Sequence, residues 1–247
     1  LRVIGEVRAG EAFPGTVGPG EAVEIMTGAP VPDGADAVVM IEYVRREDQR
    51  VIIDTAPESG QFINPRAAEA RRGQCLLEAG QRIDHAGIAL AATVGAASLT
   101  VYRKPRVAIV PTGDEVVPVE QTPLDFQVRN SNAHSLAAQV ALSGGVPVML
   151  PVAPDECSET RALISRGLQT DLLLLSGGVS AGKYDIVEQV LESLGAEFFF
   201  DRVLIQPGQP LVFGKARGTF FFGLPGNPAS TMVTFAIFAR AAMELLG

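Results

Sequence analysis

The feature that most constrains this chain is a change of texture near residue 105. From there a short, wholly apolar run is followed by a glycine- and proline-rich loop and a helical stretch, and the pattern repeats. Val107-Ala-Ile-Val110 is the first such run, Val146–Val152 the second and Asp171–Leu175 the third. A strand with one wet face alternates apolar and polar residues, so uninterrupted apolar strands need cover on both sides. Strands alternating with helices then predict an α/β fold, a mostly parallel sheet with helices on both faces. Ala196–Ile205, Leu211–Phe213 and Thr219–Phe222 continue the sheet, and Pro228–Leu246 reads as a long apolar helix. Asn130-Ser-Asn132 caps a helix that stops at Gly144-Gly145, and Asp155 stands where it could cap the next. A further helix ends at Leu194.

The preceding residues read differently, which divides the chain into 1–60, 61–104 and 105–247. In 1–60, Glu21–Met26, Ala37–Val44 and Arg50–Asp54 are strand-like, with Arg45–Gln49 connecting the last two. That pattern predicts a small antiparallel β module. Residues 61–104 hold an arginine-, alanine- and glutamate-rich stretch, a strand-like Cys75-Leu-Leu and a helix over Ala86–Gly95. The helix is nearly all small and apolar, so it must pack against something. This segment is read as a linker or part of a neighbouring or dimerisation domain.

Composition removes several function classes. Hydrophobic residues at 47% and charged residues at 19% mark a globular chain. A net charge of −8 with no basic stripe repels a phosphate backbone, so nucleic acid is not an expected partner. Cys75 and Cys157 lie far apart and give neither a disulfide framework nor a zinc site. His85 and His134, equally distant, read as structural or solvent-facing. No single apolar run reaches the roughly 18 residues of a membrane span. With no visible signal peptide, the expected location is cytoplasmic, away from membranes. Leu1 and Gly247 read as the edges of an excised piece, truncated at both ends.

Ligands of parallel sheets bind at the carboxyl ends of the strands. Here those ends carry Pro111-Thr-Gly-Asp-Glu115, Ser176-Gly-Gly-Val-Ser-Ala-Gly182, Gln206-Pro-Gly-Gln-Pro210 and Gly223-Leu-Pro-Gly-Asn-Pro228. Glycine lets backbone amides approach a ligand closely, and a helix start behind it adds unpaired N–H groups. Asn227 is a good N-cap with Pro228 at the first helical position. The candidate ligand-binding residues are therefore Thr112, Gly113, Asp114, Ser176, Gly177, Gly178, Ser180, Pro207, Gly208, Pro210, Pro225, Gly226, Asn227 and Pro228. Asp114, Glu115 and Asp185 should project over the same rim. Carboxylates beside a phosphate need a cation between them, and hard oxygens favour magnesium.

These segments, together with Thr27-Gly-Ala-Pro-Val-Pro-Asp-Gly-Ala-Asp-Ala-Val-Val-Met40 and Gly182-Lys-Tyr-Asp185, closely resemble the motifs of the molybdopterin molybdenumtransferases, the MoeA proteins and the gephyrin E domain. The match runs in order through nearly the whole chain. The resemblance implies insertion of molybdate into adenylylated molybdopterin with release of AMP, using Mg2+. It also implies a homodimer supplied by an upstream molybdopterin adenylyltransferase. It marks Thr27, Glu115 and Asp185 as catalytic, and Pro225 and Pro228 as functionally important.

The sequence departs from the family pattern in several places. The upstream Asp-Gly-Tyr-Ala motif and the barrel-like C-terminal domain are absent, and a Gly-Glu-Asp stretch reads Ala67-Ala-Glu69. A Lys-Pro-Gly-Lys-Pro loop reads Gln206-Pro-Gly-Gln-Pro210, which removes charge-assisted contacts worth about 1.5–3 kcal/mol each. Those glutamines fit an alternative, a diverged non-catalytic binding or scaffold module. The adenylyltransferases and the competence-damage-inducible proteins share the TGDE and SGG loops, but the Thr27–Met40 and Gly223–Pro228 segments argue against both.

Overall fold

The computed structural model describes residues 1–178 and 186–246. Internal packing divides the chain into two units, Leu1–Leu99 and Thr100–Gly247.

The first unit is a four-stranded sheet with one helix. Strands β1 (Arg2–Val7), β2 (Glu21–Ile25), β3 (Val44–Glu47) and β4 (Arg50–Ile53) lie in the order β2-β1-β4-β3. Helix α1 (His85–Thr93) starts where Asp84 accepts a hydrogen bond from the Gly87 N–H. The expectation of an antiparallel module is corrected: β1 and β2 run parallel, while the pairs with β4 are antiparallel. The strand expected over Ala37–Val44 does not form; that stretch ends in a 3-10 turn, Ile41–Tyr43. Its apolar run misled because Met40, Ile41 and Tyr43 are exposed rather than laid into a ladder. Most of the expected Arg45–Gln49 connection is instead β3, with the turn at Asp48, where φ is +51°. Cys75-Leu-Leu forms no strand.

The second unit holds a six-stranded sheet between helices, as the α/β expectation requires. Its strands are β5 (Arg106–Pro111), β8 (Val146–Met149), β9 (Leu172–Ser176), β10 (Glu197–Arg202), β11 (Pro210–Ala216) and β12 (Thr219–Leu224). They lie in the order β10-β11-β12-β9-β5-β8. A small parallel pair, β6 (Val116–Val117) with β7 (Val128–Arg129), sits between β5 and the first helix in sequence. From β12 to β8 every neighbour is parallel, whereas β11 is antiparallel to both β10 and β12. Five of the six strands therefore point one way.

The helices are α2 (Ser131–Leu142), α3 (Cys157–Gly167), α4 (Ile186–Ser193), α5 (Pro228–Thr234) and α6 (Arg240–Leu246). Alternation along β5 and β9 explains how the strands are covered on both faces. Ala108, Val110, Leu173 and Leu175 face Ile164 and Leu168 near α3 and Val190 and Leu191 of α4. Val107, Ile109, Leu172 and Leu174 face Leu136 and Val140 of α2 together with Phe235 and Met243. The chain leaves β5 for β8 on one side and crosses back to β9 on the other. The crevice of such a fold opens at that reversal, between the ends of β5 and β9.

Two local expectations change. The α3 cap is Glu156, whose carboxylate accepts from the Ser158 and Glu159 N–H groups, not Asp155. The helix expected over Pro228–Leu246 is continuous but passes through a π turn at Phe235–Ala239. Those 19 residues, of mean hydropathy 1.4, are long and apolar enough to span a membrane by length and composition. Here Phe235, Ala239 and Met243 are buried against the sheet.

The sheet margins are irregular. Val146 and Leu150 donate their N–H groups to Pro105 and Ile109 carbonyls, so the alternate position, Pro147, turns its nitrogen to the open side of β8. At the other margin the β10 register shifts twice, between Phe198 and Phe200 and between Phe200 and Arg202.

Candidate functional site

Strand direction alone gathers the loops. Those after β5, β8, β9 and β12 leave the same edge of the sheet, and because β11 is reversed, the β10–β11 connection (residues 203–209) leaves it too. The start of α2 lies at this edge through Asn132, described below.

Hydrogen bonds tie neighbouring loops in series. The Thr112 N–H donates to the Ser176 carbonyl (3.0 Å), and the Gly113 N–H to the Ala153 carbonyl (3.1 Å). The Asp155 N–H donates to Asp114 Oδ1 (3.0 Å), which leaves the second Asp114 oxygen uncommitted by that bond. On the other side of β9, the Gly177 N–H donates to the Leu224 carbonyl (3.1 Å). Asn132 Nδ2 bridges two loops, donating to Ser176 Oγ (2.9 Å) and to the Gly226 carbonyl (2.8 Å). Asn227 caps α5 by accepting from the Ser230 N–H (3.2 Å), and Thr231 Oγ1 donates to the Pro225 carbonyl (2.5 Å).

Glycine is required where these loops meet. At Gly178, with φ +62°, a Cβ would lie 2.7 Å from Thr112 Oγ1 and 2.9 Å from a Val187 methyl. At Gly208, with φ +113°, it would lie 2.6 Å from the Thr234 methyl, so the β10–β11 loop packs directly on α5. At Gly226 a Cβ would make only an ordinary contact with the Gly177 Cα at 3.7 Å, which places the two loops side by side without requiring glycine. At Gly113 a Cβ would overlap the Glu115 carboxylate, which therefore folds back over the end of β5.

Thr112, Gly113, Asp114, Glu115, Ser176, Gly177, Gly178, Gly208, Pro225, Gly226 and Asn227 thus occupy one rim, with Pro207 in the β10–β11 loop and Pro210 and Pro228 at the starts of β11 and α5. Ser180 and Asp185 lie outside the described residues. Thr27 lies in the first unit, exposed in the turn after β2. His85 and His134 are both exposed.

The rim floor is buried and, among the described residues, under-satisfied. Thr112 is 4% exposed, yet its Oγ1 has no hydrogen-bond partner among the described residues. Asn132 Oδ1 is likewise buried and unpaired among them. Buried polar groups are normally paired, so the Thr112 hydroxyl beneath the Gly177–Gly178 turn is a donor available to a ligand or a water. The starts of α2 and α5 turn the positive ends of their dipoles to this edge, which suits an anion. Asp114 and Glu115 are exposed hard-oxygen donors, the donor chemistry that magnesium takes. Among the described residues no group of three or more potential ligands forms a metal cluster. Asn132 was read from sequence only as part of a helix cap. Its two acceptors lie 44 and 94 residues away, and no local signal announces such a bridge.

Comparison with known proteins matches both units. Residues 2–95 fit the family described as "MoeA N-terminal region (domain I and II)", and residues 108–244 the family described as "Probable molybdopterin binding domain". A molybdopterin molybdenumtransferase of Nostoc sp. is 40% identical over 100% of this chain and 58% of its own length. Another, from Bacillus subtilis, is 35% identical over 99% of this chain and again 58% of its own length. A crystal structure of a molybdopterin biosynthesis MoeA protein from Pyrococcus horikoshii superposes with a TM-score of 0.79 at 32% identity, covering 100% of this chain and 62% of that one. The chain therefore spans about three fifths of the length of the relatives it matches.

Proposed function

The chain belongs to the MoeA family, and from that premise we propose that residues 105–247 carry a site for inserting molybdate into adenylylated molybdopterin with release of AMP. The observation that carries this reading is the convergence of the β5, β9, β10 and β12 loops on one rim, floored by the Thr112 hydroxyl, which has no partner among the described residues. The Gly178 amide, with the starts of α2 and α5, cradles the pyrophosphate, while the Gly113 and Gly177 N–H groups hold the loops to the Ala153 and Leu224 carbonyls. The Thr112 hydroxyl supplies a donor from below. Pro225 and Pro228 fix the shape of the last loop, since proline locks φ. Asp114, Glu115 and Asp185 would hold the magnesium ion, which when bound offsets charge on the pyrophosphate as it is cleaved. Water displaced by the bound ligand would leave every such contact stronger.

In this reading Thr27 assists catalysis, residues 1–60 and 61–104 serve as β-rich and dimerisation segments, and the protein works as a cytoplasmic homodimer. An upstream molybdopterin adenylyltransferase supplies the substrate. The test is AMP release on mixing the whole protein with adenylylated molybdopterin, magnesium and molybdate. Light scattering at micromolar concentration tests the dimer, which a monomeric mass would exclude.

One observation favours a second reading. Gln206 and Gln209 are exposed and uncharged on the rim loop, so the anion meets amide donors there instead of cations. A protein that binds adenylylated molybdopterin without ever releasing AMP would be a binding or scaffold module, and the transferase reading would fall.

A further inference from the structure

We infer that Asn132 is a positioning residue that fixes the gap between the β9 and β12 loops before ligand arrives. The inference rests on the transferase reading of the rim. One amide nitrogen holds both sides: Nδ2 donates to Ser176 Oγ at 2.9 Å and to the Gly226 carbonyl at 2.8 Å. The same two loops otherwise meet through the Gly177 N–H to Leu224 carbonyl bond and the close approach of Gly226 to Gly177.

The donor comes from the first turn of α2, whose Ala133, Leu136 and Val140 are fully buried against the sheet, so the clasp is anchored to the core rather than to another loop. The amide orientation is set by chemistry, because the Gly226 carbonyl can only accept. That leaves Oδ1 buried without a partner among the described residues. An unpaired acceptor is costly and is retained here beside two well-made bonds. The group is therefore suited to spacing the loops rather than to contributing its full hydrogen-bonding capacity.

A preset gap spares the ligand the cost of ordering two loops, so its removal weakens binding more than it slows the chemical step. For Asn132→Ala, KM for adenylylated molybdopterin should rise about tenfold, in keeping with the loss of one or two ordinary hydrogen bonds. Its kcat should stay within about threefold of the unaltered protein. Asn132→Asp keeps the size and loses both donors, and should behave alike if the alanine variant folds poorly. In ligand-free protein, amide hydrogen exchange at residues 176–178 and 224–227 should quicken in both variants, while exchange in β5 stays unchanged.

Faster exchange with a raised KM and a near-constant kcat supports the clasp. Unchanged KM in either folded variant, or a kcat loss without a KM change, overturns it while leaving the transferase reading standing. If the unaltered protein releases no AMP, that reading fails first and the inference falls with it.

Discussion

The two units are held together by different means. In Thr100–Gly247, two apolar layers cover the sheet, and Ile109, Leu136, Leu172, Leu174, Leu211 and Phe235 are among the side chains fully withdrawn from water. In Leu1–Leu99, the buried apolar side chains are Val7, Pro32 and Ala91. What binds that unit instead is a series of backbone turns and exposed ion pairs, such as Arg46 with Glu24 and Arg45 with Asp54. Exposed pairs of this kind contribute at most about 1 kcal/mol each. Burial of apolar area is the dominant favourable contribution to folding, so the second unit can set its own shape. The first has much less of that contribution to draw on.

The severest trial of that contrast is to produce the units apart. Residues 100–247 should unfold cooperatively on heating when followed by circular dichroism, and residues 1–99 should show no cooperative transition. A sharp melt from 1–99 would erase the distinction. Next, Leu174→Ala at the centre of β9 should lower the stability of the second unit by about 3 kcal/mol, read from urea unfolding.

Asp171 offers a smaller, pH-dependent probe. Its carboxylate takes a two-pronged contact from Arg103 (2.5 and 2.6 Å) and the Arg106 N–H (2.7 Å). The Arg103 guanidinium holds the acid below its ordinary pKa. A depressed folded-state value means the stabilisation is complete above the unfolded carboxyl's pKa of ~3.9 and is lost as pH falls through the folded one. Asp171→Asn should therefore lower the melting temperature at pH 7 and flatten its decline below about pH 4. A parallel decline in both proteins would show that the pair contributes nothing. Least of all, Arg45→Ala should change stability by no more than ~0.5 kcal/mol, since both partners are about two-thirds exposed. A larger loss would mean the surface pairs hold the first unit after all.

The same contrast explains what could be read from the residues alone. Val107–Val110 and Leu172–Leu175 were legible because cover on both faces removes polar residues and leaves an unbroken signal. Asn227-Pro228 was legible because a cap and its proline are neighbours in sequence. Ala37–Val44 carried a similar apolar signal without a partner strand, and nothing local separates those cases. At the rim, glycine loops announced themselves through composition, and the reversed β11 was not needed to suspect Gln206–Pro210. The Asn132 bridge had no such announcement, because its acceptors belong to strands that become neighbours only after folding. The assignment of the cap to Asp155 rather than Glu156 failed by one position. The Asp155 N–H is occupied by Asp114 while the next residue turns its carboxylate onto the helix start.

Pro147 has a consequence at the scale of many molecules. A sheet with an open flank can recruit a neighbour's strand and grow into a fibre. On one flank of this sheet the ring nitrogen has no hydrogen to offer an incoming chain, and on the other the double slip of β10 spoils the spacing a straight strand would need. The layer that supports the rim is thereby capped sideways, and crowding many copies together should favour discrete particles over filaments.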